Sequence, residues 1–322
     1  MDREALEGIV ARARLAPSVH NTQPARWKPV PGGVEIWSDG RVGLDIGDPD
    51  RRDAGLSCGA AVEATVLAAS ALGLSARVDD LWQAQTTDGP LRLAARIGWT
   101  TGGAEDGLHR SLETRFTHRG VFDVATVPLF GWTRADAVVV TDAPRRVWLA
   151  TLDEGVSLRA MRRGPLRREL RDWMRLSDRH PRADLDGLSR RAMRMGRGTA
   201  LAAGVVLGPL WWVCDALGLT RRIVSEAEAT RSAAVIACFH RPAGESPVST
   251  GRAYLRLWLE ATQLGLAGWP MAALADDPDS RAEIAARLAI GGDRRLVQVL
   301  RLGPAGSDPP PRARLPVADL LI

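Results

Sequence analysis

The spacing of apolar residues along the chain alternates between helical and strand-like periods. Helical spacing, with apolar residues three and four positions apart, occurs in residues 2–15, 55–74, 105–114, 145–161 and 250–264. Short apolar runs of strand length occur in residues 27–30, 34–37, 75–78, 91–97, 137–141, 233–239 and 296–302. The pattern predicts an α+β fold in which helices and strands alternate throughout the chain.

The helix predicted at 55–74 shares a series of residues with the helix predicted at 250–264. Seven residues of the first helix have an identical counterpart 192 positions later, and a strand ending in Arg-apolar-Gly follows each helix. These seven are Gly59, Ala61, Leu67, Ala69, Leu72, Gly73 and Leu74. We interpret the series as a diverged internal duplication with halves at 1–103 and 104–322. Such a fusion mimics a symmetric homodimer, so we expect a monomer that acts as a pseudo-dimer, with further self-association left open.

A basic segment interrupts the second half. Residues 159–197 hold thirteen arginines and five acidic residues, and an uncharged run at 199–214 follows. A membrane span is one interpretation, but the run is short and contains Pro209. A nucleic-acid patch is another, but no aromatic residues are interleaved in the way that known motifs require. We favour a lid-like insertion at 159–219, because it is long and lies between core elements.

Bulk properties exclude several classes of function. The net charge is only +5 and Lys28 is the only lysine, so the arginine excess does not by itself indicate nucleic-acid binding. Three cysteines without CxxC spacing predict neither a disulfide framework nor a zinc site, and five scattered histidines form no ligand-spaced pair. The first residues lack the basic and apolar regions of a signal peptide. We therefore expect a cytoplasmic protein with no metal site, no membrane partner and no nucleic-acid partner.

A polar loop stands out after the first helix. Residues 16–24 read APSVHNTQP, with neutral hydrogen-bonding side chains concentrated between Pro17 and Pro24. Two prolines fix the backbone at two points and push the preceding residues into extended conformations, so we expect a stiff, irregular loop. Its side chains suit a planar heteroaromatic ligand. From composition alone, a connection in which Ser18 and Asn21 serve as turn or capping residues is the favoured interpretation.

The pattern APSxxNxQP resembles the flavin-contacting loop of the FMN-dependent nitroreductase superfamily. The chain looks most like the Acg-type branch, actinobacterial proteins in which two nitroreductase-like halves are fused. This resemblance implies a nitroreductase-like α+β fold, FMN as cofactor and NAD(P)H as a transient reductant. It also implies that the loop of one half contacts a flavin that the other half holds.

Three further segments match the family in chain order. A basic motif of the form Arg-x-Ser/Thr-x-Arg follows the helix at 105–114. A segment whose backbone would lie against the flavin ring follows the helix at 250–264, and a basic pair lies in the C-terminal arm at 303–322. Arginine forks suit the phosphate dianion of FMN. The contacts that the resemblance implies are Ser18, His20, Asn21, Gln23, Arg115, Thr117, Arg119, Trp269, Pro270, Met271, Arg312 and Arg314.

The sequence departs from the family pattern in ways that bear on stoichiometry. Ala25 and Arg26 precede Trp27, where relatives commonly place Trp directly after the Gln-Pro pair, and His118 stands where Asn is frequent. No basic motif precedes the first loop, and no NxQP-type loop follows Phe122. The second pseudo-symmetric site therefore lacks its main parts, and we expect one FMN per chain.

The resemblance implies an oxidoreductase that passes electrons from NAD(P)H through FMN to a flat acceptor, such as a nitroaromatic or a quinone. No side chain need act as acid or base, because the flavin carries the chemistry. Two alternatives stay open. One is a flavin-sequestering protein whose lid prevents turnover, and the other is a basic nucleic-acid-associated protein with an empty flavin fold.

Overall fold

The first half of the chain forms an antiparallel sheet packed against one long helix. The structure is a computed structural model that describes residues 2–123, 132–306 and 309–322. The elements of this half are α1 (Arg3–Ala13), β1 (Ala25–Val30), β2 (Gly33–Asp39), α2 (Arg52–Ser70), β3 (Leu74–Asp80), β4 (Thr87–Asp88) and β5 (Leu91–Thr101). The strand order is β1-β2-β5-β3, and β4 pairs with one end of β5.

The second half forms a four-stranded sheet, and the insertion lies between two of its strands. Its core elements are α3 (Ser111–Thr114), β6 (Ala137–Val140), α4 (Ala143–Arg162), then β9 (Val235–Pro242), α10 (Pro247–Gln263), β10 (Ala267–Pro270), α11 (Ala272–Asp276), α12 (Pro278–Arg287) and β11 (Arg294–Gly303). The strand order is β6-β9-β11-β10, all antiparallel. Both sheets therefore place their main strands in the same sequence, and α10 joins β9 to β10 as α2 joins β2 to β3.

The insertion lies between α4 and β9 and consists of short elements. They are α5 (Gly164–Trp173), β7 (Met174–Arg175), β8 (Leu188–Ser189), α6 (Arg197–Val206), α7 (Trp211–Ala216), α8 (Thr220–Val224) and α9 (Ala227–Ser232). The uncharged run at 199–214 thus folds as two helices with a break between them. No helix in the described ranges is long and apolar enough to cross a membrane.

The two halves meet through glycines on α2 and α10. A Cβ atom on Gly59 would lie 2.1 Å from the carbonyl oxygen of Val248, and one on Gly251 would lie 2.1 Å from that of Leu56. Leu56 and Val248 are related by the same 192-residue offset as Gly59 and Gly251. A pseudo-twofold axis between the helices would produce this reciprocal contact. It supports the interpretation as a duplication, which stays a prediction.

The helices and strands predicted from the apolar pattern are confirmed, with shifted ends. Helix α2 begins at Arg52, three residues before the predicted start. The Asp48 carboxylate accepts hydrogen bonds from the backbone N–H groups of Asp53 and Ala54, at 3.0 and 2.9 Å, and so stabilises this first turn. The helix ends at Ser70 rather than at 74, and Gly73 lies beyond it with φ of 69°. The segment at 105–114 is divided between a 3₁₀ turn and α3.

The C-terminal arm of the second half returns to the sheet of the first. The backbone N–H of Trp27 on β1 donates to the Leu320 carbonyl at 2.8 Å, and the N–H of Ile322 donates to the Trp27 carbonyl at 3.0 Å. The Trp27 ring is buried, and its indole N–H donates to Thr65 Oγ1 at 2.9 Å. The arm therefore extends the edge of the first sheet and carries residues 309–314 past the polar loop.

Replacing Gly251 by alanine should destabilise the protein by about 2–3 kcal/mol, because the added methyl group would overlap a backbone carbonyl that cannot move independently. Gly8→Ala is the matched control, since Gly8 lies on helix α1 with open space around it. Alanine there should stabilise the helix by up to about 1 kcal/mol. Denaturant unfolding of both variants measures the difference, and an equal effect at the two positions would contradict the close approach of α2 and α10.

Candidate ligand-binding cleft

A solvent-connected cleft lies where four segments of the chain converge. It holds about 660 Å³ of space not occupied by atoms, part of which is open to solvent. The polar loop, the basic motif after α3, the insertion and the C-terminal arm each form one wall. Eight of the twelve residues predicted from the sequence line this cleft: Ser18, His20, Asn21, Arg115, Thr117, Arg119, Arg312 and Arg314.

The polar loop holds an unusual backbone conformation. His20, Asn21 and Gln23 have φ values of 44°, 58° and 53°, in the left-handed region that non-glycine residues rarely adopt. Local hydrogen bonds fix this shape, including Gln23 N–H to Ser18 Oγ at 3.0 Å. Strained backbone of this kind persists where surrounding contacts determine it, and it concentrates at functional sites. The predicted irregular loop is confirmed.

Four guanidinium groups surround the cleft, and carbonyl oxygens are their main partners. Arg115 donates to the Leu15 carbonyl at 2.9 Å, and its guanidinium carbon lies 4.6 Å from the centre of the Trp258 ring. Arg314 donates through Nε to the Arg14 carbonyl at 2.8 Å. Both carbonyls lie at the C-terminal end of α1, where the helix dipole favours positive charge. Arg312 donates to backbone carbonyls of α3 and to that of Arg115.

No described carboxylate forms an ion pair with these cations, although the charge of Glu226 acts at longer range to raise the pKa of Arg119 and that of Glu113 acts to raise the pKa of Arg312. Within residues 2–123, 132–306 and 309–322, no carboxylate lies within 4.0 Å of Arg115, Arg119, Arg312 or Arg314, and Arg115 Nε has no hydrogen-bond acceptor. Burial lowers the pKa of Arg115 to about 9, with repulsion from Arg314 and Arg312 adding to the effect. Burial also lowers the pKa of Arg119 and of Arg314 to about 10. An anionic ligand in the cleft would therefore stabilise the charged form of these arginines.

Asn21 and Gln23 do not present free amide groups to the cleft. Asn21 Nδ2 donates to the carbonyls of Gly187 and Ala313 at 3.2 and 3.1 Å, and its Oδ1 accepts from Arg314 at 2.8 Å. Gln23 Nε2 donates to the Leu185 carbonyl at 2.8 Å. The two amides thus fasten the loop to the insertion and to the C-terminal arm, a role that the sequence did not indicate.

Gln23 also contacts the arm directly, since its Oε1 accepts from the backbone N–H of Leu315 at 2.9 Å. It faces a smaller cavity behind the loop, which Trp27 and Ser57 also line. The second pseudo-symmetric loop, expected to be missing after Phe122, would fall on residues 124–131, which lie outside the described residues.

The insertion forms one wall of the cleft. The backbone N–H of Gly187 donates to the Asn21 carbonyl at 3.3 Å, and the Ala192 carbonyl lies 3.5 Å from Arg119 Nη1. On α5, the Glu169 carboxylate accepts from the backbone N–H groups of Ile46 and Gly47 at 2.9 and 2.8 Å. These contacts join the insertion to the first half of the chain on the side where the loop lies.

Trp269, Pro270 and Met271 lie on or next to β10 and are not among the described residues that line the cleft. The Trp269 ring packs against the buried Arg301 guanidinium at 3.6 Å, and Met271 is buried. The connection to the cleft runs through the backbone, because the His118 N–H donates to the Gly268 carbonyl at 3.0 Å beside Thr117.

His20 is a neutral group at physiological pH. Desolvation lowers its pKa from 6.5 to about 4, and the nearby positive charge of Arg119 acts in the same direction, against the opposing effect of Glu169. A neutral imidazole offers one hydrogen-bond donor and one acceptor to a ligand.

The depressed pKa of His20 predicts a specific pH dependence. Between about pH 6.5 and pH 4 the unfolded state binds a proton that the folded state does not, so the free energy of unfolding falls as the pH falls through this window. His20→Gln should lose less stability over that window than the wild type, as measured by denaturant unfolding at each pH. His180→Gln, on the insertion, is the control. Parallel pH profiles for the wild type and His20→Gln would contradict the assignment of a neutral His20.

Comparison with known proteins gives a partial match. No family model matches the chain. The chain is 41% identical over 78 residues to the protein named "Putative NAD(P)H nitroreductase" in Mycobacterium tuberculosis strains CDC 1551 / Oshkosh and H37Rv. This match covers 24% of the chain and spans 23% of the length of these curated relatives.

Solved structures give more distant likenesses. The FMN and NADPH-dependent nitroreductase NfnB of Sphigopyxis sp. strain HMH is 20% identical, with a TM-score of 0.35 over 66% of this chain and 94% of that one. A "putative nitroreductase" of Anabaena variabilis ATCC 29413 is 11% identical, with a TM-score of 0.45 over 94% of this chain and 88% of that one. TM-scores under 0.5 are too low to bear on residue roles. In sequence, over 24% of its length, the chain is similar to proteins named as putative NAD(P)H nitroreductases.

Proposed function

We propose that the cleft binds FMN and that the protein is a nitroreductase-like NAD(P)H oxidoreductase of the tandem, Acg-type arrangement. The observation that carries this proposal is a group of four arginines around the cleft, Arg115 buried and the other three partly buried, with no carboxylate within 4.0 Å among the described residues. A phosphate dianion would supply the missing negative charge, and guanidinium forks match its geometry. The sequence match to proteins named as NAD(P)H nitroreductases supports the choice of a flavin phosphate over other anions.

The residues of the cleft divide by chemistry into two groups. Arg115 and Arg119 come from the second half, and Arg312 and Arg314 come from its C-terminal arm, so we assign the phosphate grip to this half. Ser18 and His20 come from the first half and offer neutral donors and acceptors, which suit the pyrimidine edge of a flavin. Thr117 adds a hydroxyl group between the two arginines of its motif.

FMN supplies the redox chemistry when bound, accepting a hydride from NAD(P)H and passing electrons to a flat acceptor such as a nitroaromatic or a quinone. The side chains of this protein bind and orient the cofactor. The cationic cluster also favours electron-rich reduced flavin over its oxidised form, because positive charge stabilises added negative charge. We infer one site per chain, since the sequence carries one basic motif and one polar loop.

A flavin-sequestering protein is the second candidate, and the insertion favours it. Its backbone bonds to Asn21 and its carbonyl beside Arg119 form one wall of the cleft. A wall that does not move would keep a nicotinamide or an acceptor from reaching a bound ring.

The phosphate assignment predicts how binding changes when one arginine is removed. Arg119→Gln should raise the Kd for FMN about 10- to 100-fold, because a charge-assisted hydrogen bond is lost. The Kd for riboflavin, which has no phosphate, should change little. Arg77→Gln is the matched control, since that guanidinium is exposed on β3 and pairs with Asp79. An equal loss for both flavins, or no FMN binding by the wild type, would contradict the assignment.

The two candidate functions differ in how a bound flavin responds to reductants. For an oxidoreductase, anaerobic addition of NADPH should bleach the visible flavin absorption, and a quinone should restore it. For a sequestering protein, NADPH should have no effect while dithionite bleaches the flavin. We expect bleaching by NADPH, and a flavin that only dithionite reduces would favour sequestration.

A further inference from the structure

Exposed apolar side chains are concentrated in one part of the insertion. The described residues include twelve exposed large hydrophobic side chains, and six of them fall within residues 201–219. These six are Leu201, Val205, Leu210, Trp212, Leu217 and Leu219. We call this set, on α6, α7 and the turns that follow each helix, the apolar face. Trp212 and Leu201 are 72% and 73% exposed, which is unusual for residues that proteins normally bury.

The other side of the same helices is anchored to the protein. Ala200, Leu207 and Trp211 are buried. The Arg167 guanidinium lies 4.5 Å from the centre of the Trp211 ring, and Arg162 pairs with Asp215 at 3.1 Å. These contacts join α7 to α4 and α5, while the six side chains of the apolar face stay exposed.

Positive charge borders the apolar face. On or next to α5, Arg163 and Arg168 are exposed, and neither lies within 4.0 Å of a carboxylate in the described part of the chain. Arg197, at the first position of α6, is 89% exposed with one weak contact at 3.9 Å to Asp178. An apolar surface rimmed by arginines is the arrangement that binds anionic bilayers, since the apolar side chains enter the acyl boundary and the cations contact phosphate groups.

We propose that the apolar face docks on the surface of an anionic phospholipid bilayer. The helices involved are too short to span it, and a surface site needs no span. The expectation of no membrane partner rests on the short, proline-interrupted uncharged run, which bears on spanning alone. This inference is independent of the proposed FMN site, which lies at other residues.

Two other occupants fit the surface less well. A second copy of the chain, packed face to face, would bring two identical arginine rims together, and like charges would oppose the contact. A nucleic acid would satisfy the arginines, but it would leave Leu201, Trp212 and Leu217 in water. An anionic bilayer surface offers phosphate groups to the arginines and an acyl boundary to the exposed apolar side chains.

Flotation with lipid vesicles tests the proposal. The full-length wild-type protein should float with vesicles of phosphatidylglycerol and phosphatidylcholine and should stay behind with vesicles of phosphatidylcholine alone. The double variant Trp212→Ala, Leu217→Ala should reduce the bound fraction about tenfold or more, because two large side chains no longer enter the bilayer. Leu72→Ala with Val147→Ala is the matched control, since these side chains are 54% and 46% exposed elsewhere.

A charge variant tests the rim. Arg163→Gln with Arg168→Gln should weaken flotation and should remove most of its salt dependence. Arg3→Gln with Arg77→Gln, two guanidinium groups that are 88% and 82% exposed, should leave flotation unchanged. All these variants lie on the surface, and circular dichroism and unfolding curves should match the wild type.

Four outcomes would overturn the proposal. One is a wild type that does not float with anionic vesicles. Another is equal flotation of the Trp212→Ala, Leu217→Ala variant and its control. The third is lipid-free self-association, by sedimentation velocity, that this variant abolishes, because a second copy would then cover the face. Binding to duplex DNA that competes fully with the vesicles and is unaffected by Trp212→Ala, Leu217→Ala would likewise assign the arginines to nucleic acid.

Discussion

Burial of positive charge around one cleft is the constraint on which the rest of this structure depends. Removing a cation from water without an anionic partner costs several kcal/mol, and neutral carbonyl groups offset only part of this cost. The carbonyls that serve Arg115 and Arg314 lie at the C-terminal end of α1, where the helix dipole adds to their attraction. The remaining positive potential is what makes the cleft suited to an anionic cofactor.

This arrangement requires distant segments to stay in fixed positions. The basic motif comes from the second half and the polar loop comes from the first, and α2 packs closely on α10 between these halves. Asn21 joins the loop, the insertion and the arm at one point. Its side-chain Nδ2 donates to a carbonyl of the insertion and to one of the arm, and its side-chain Oδ1 accepts from Arg314. The pairing of the arm with Trp27 completes the enclosure. Loss of any of these contacts would loosen the arginine cluster as well.

The sequence predicted the residue types of the cleft better than their partners. Arginines at spacing two and a proline-bounded polar loop are local patterns, and they converge as the resemblance implied. The anchoring roles of Asn21 and Gln23 depend on carbonyls of Gly187 and Leu185, more than 160 positions away, and any residue type supplies a carbonyl. No local pattern encodes such a contact.

The same reasoning explains the elements that the apolar pattern did not predict. Strand β10 is the four-residue stretch Ala267–Pro270, and it contains both glycine and proline, which have low strand propensity. Pairing with β11 defines it, with Trp269 opposite Arg301. The early start of α2 depends on the Asp48 carboxylate, which lies outside the apolar period. Strand β10 and the start of α2 are therefore determined by contacts with other parts of the chain and not by the intrinsic propensity of their own residues.

The central claim is that one cleft in each chain holds one FMN. The most direct measurement is the flavin content of purified protein after saturation with FMN and removal of free cofactor, from the ratio of visible flavin absorbance to protein concentration. We expect a ratio near one. A ratio near two would show that the second pseudo-symmetric site also binds flavin, and a protein that retains none would contradict the FMN assignment.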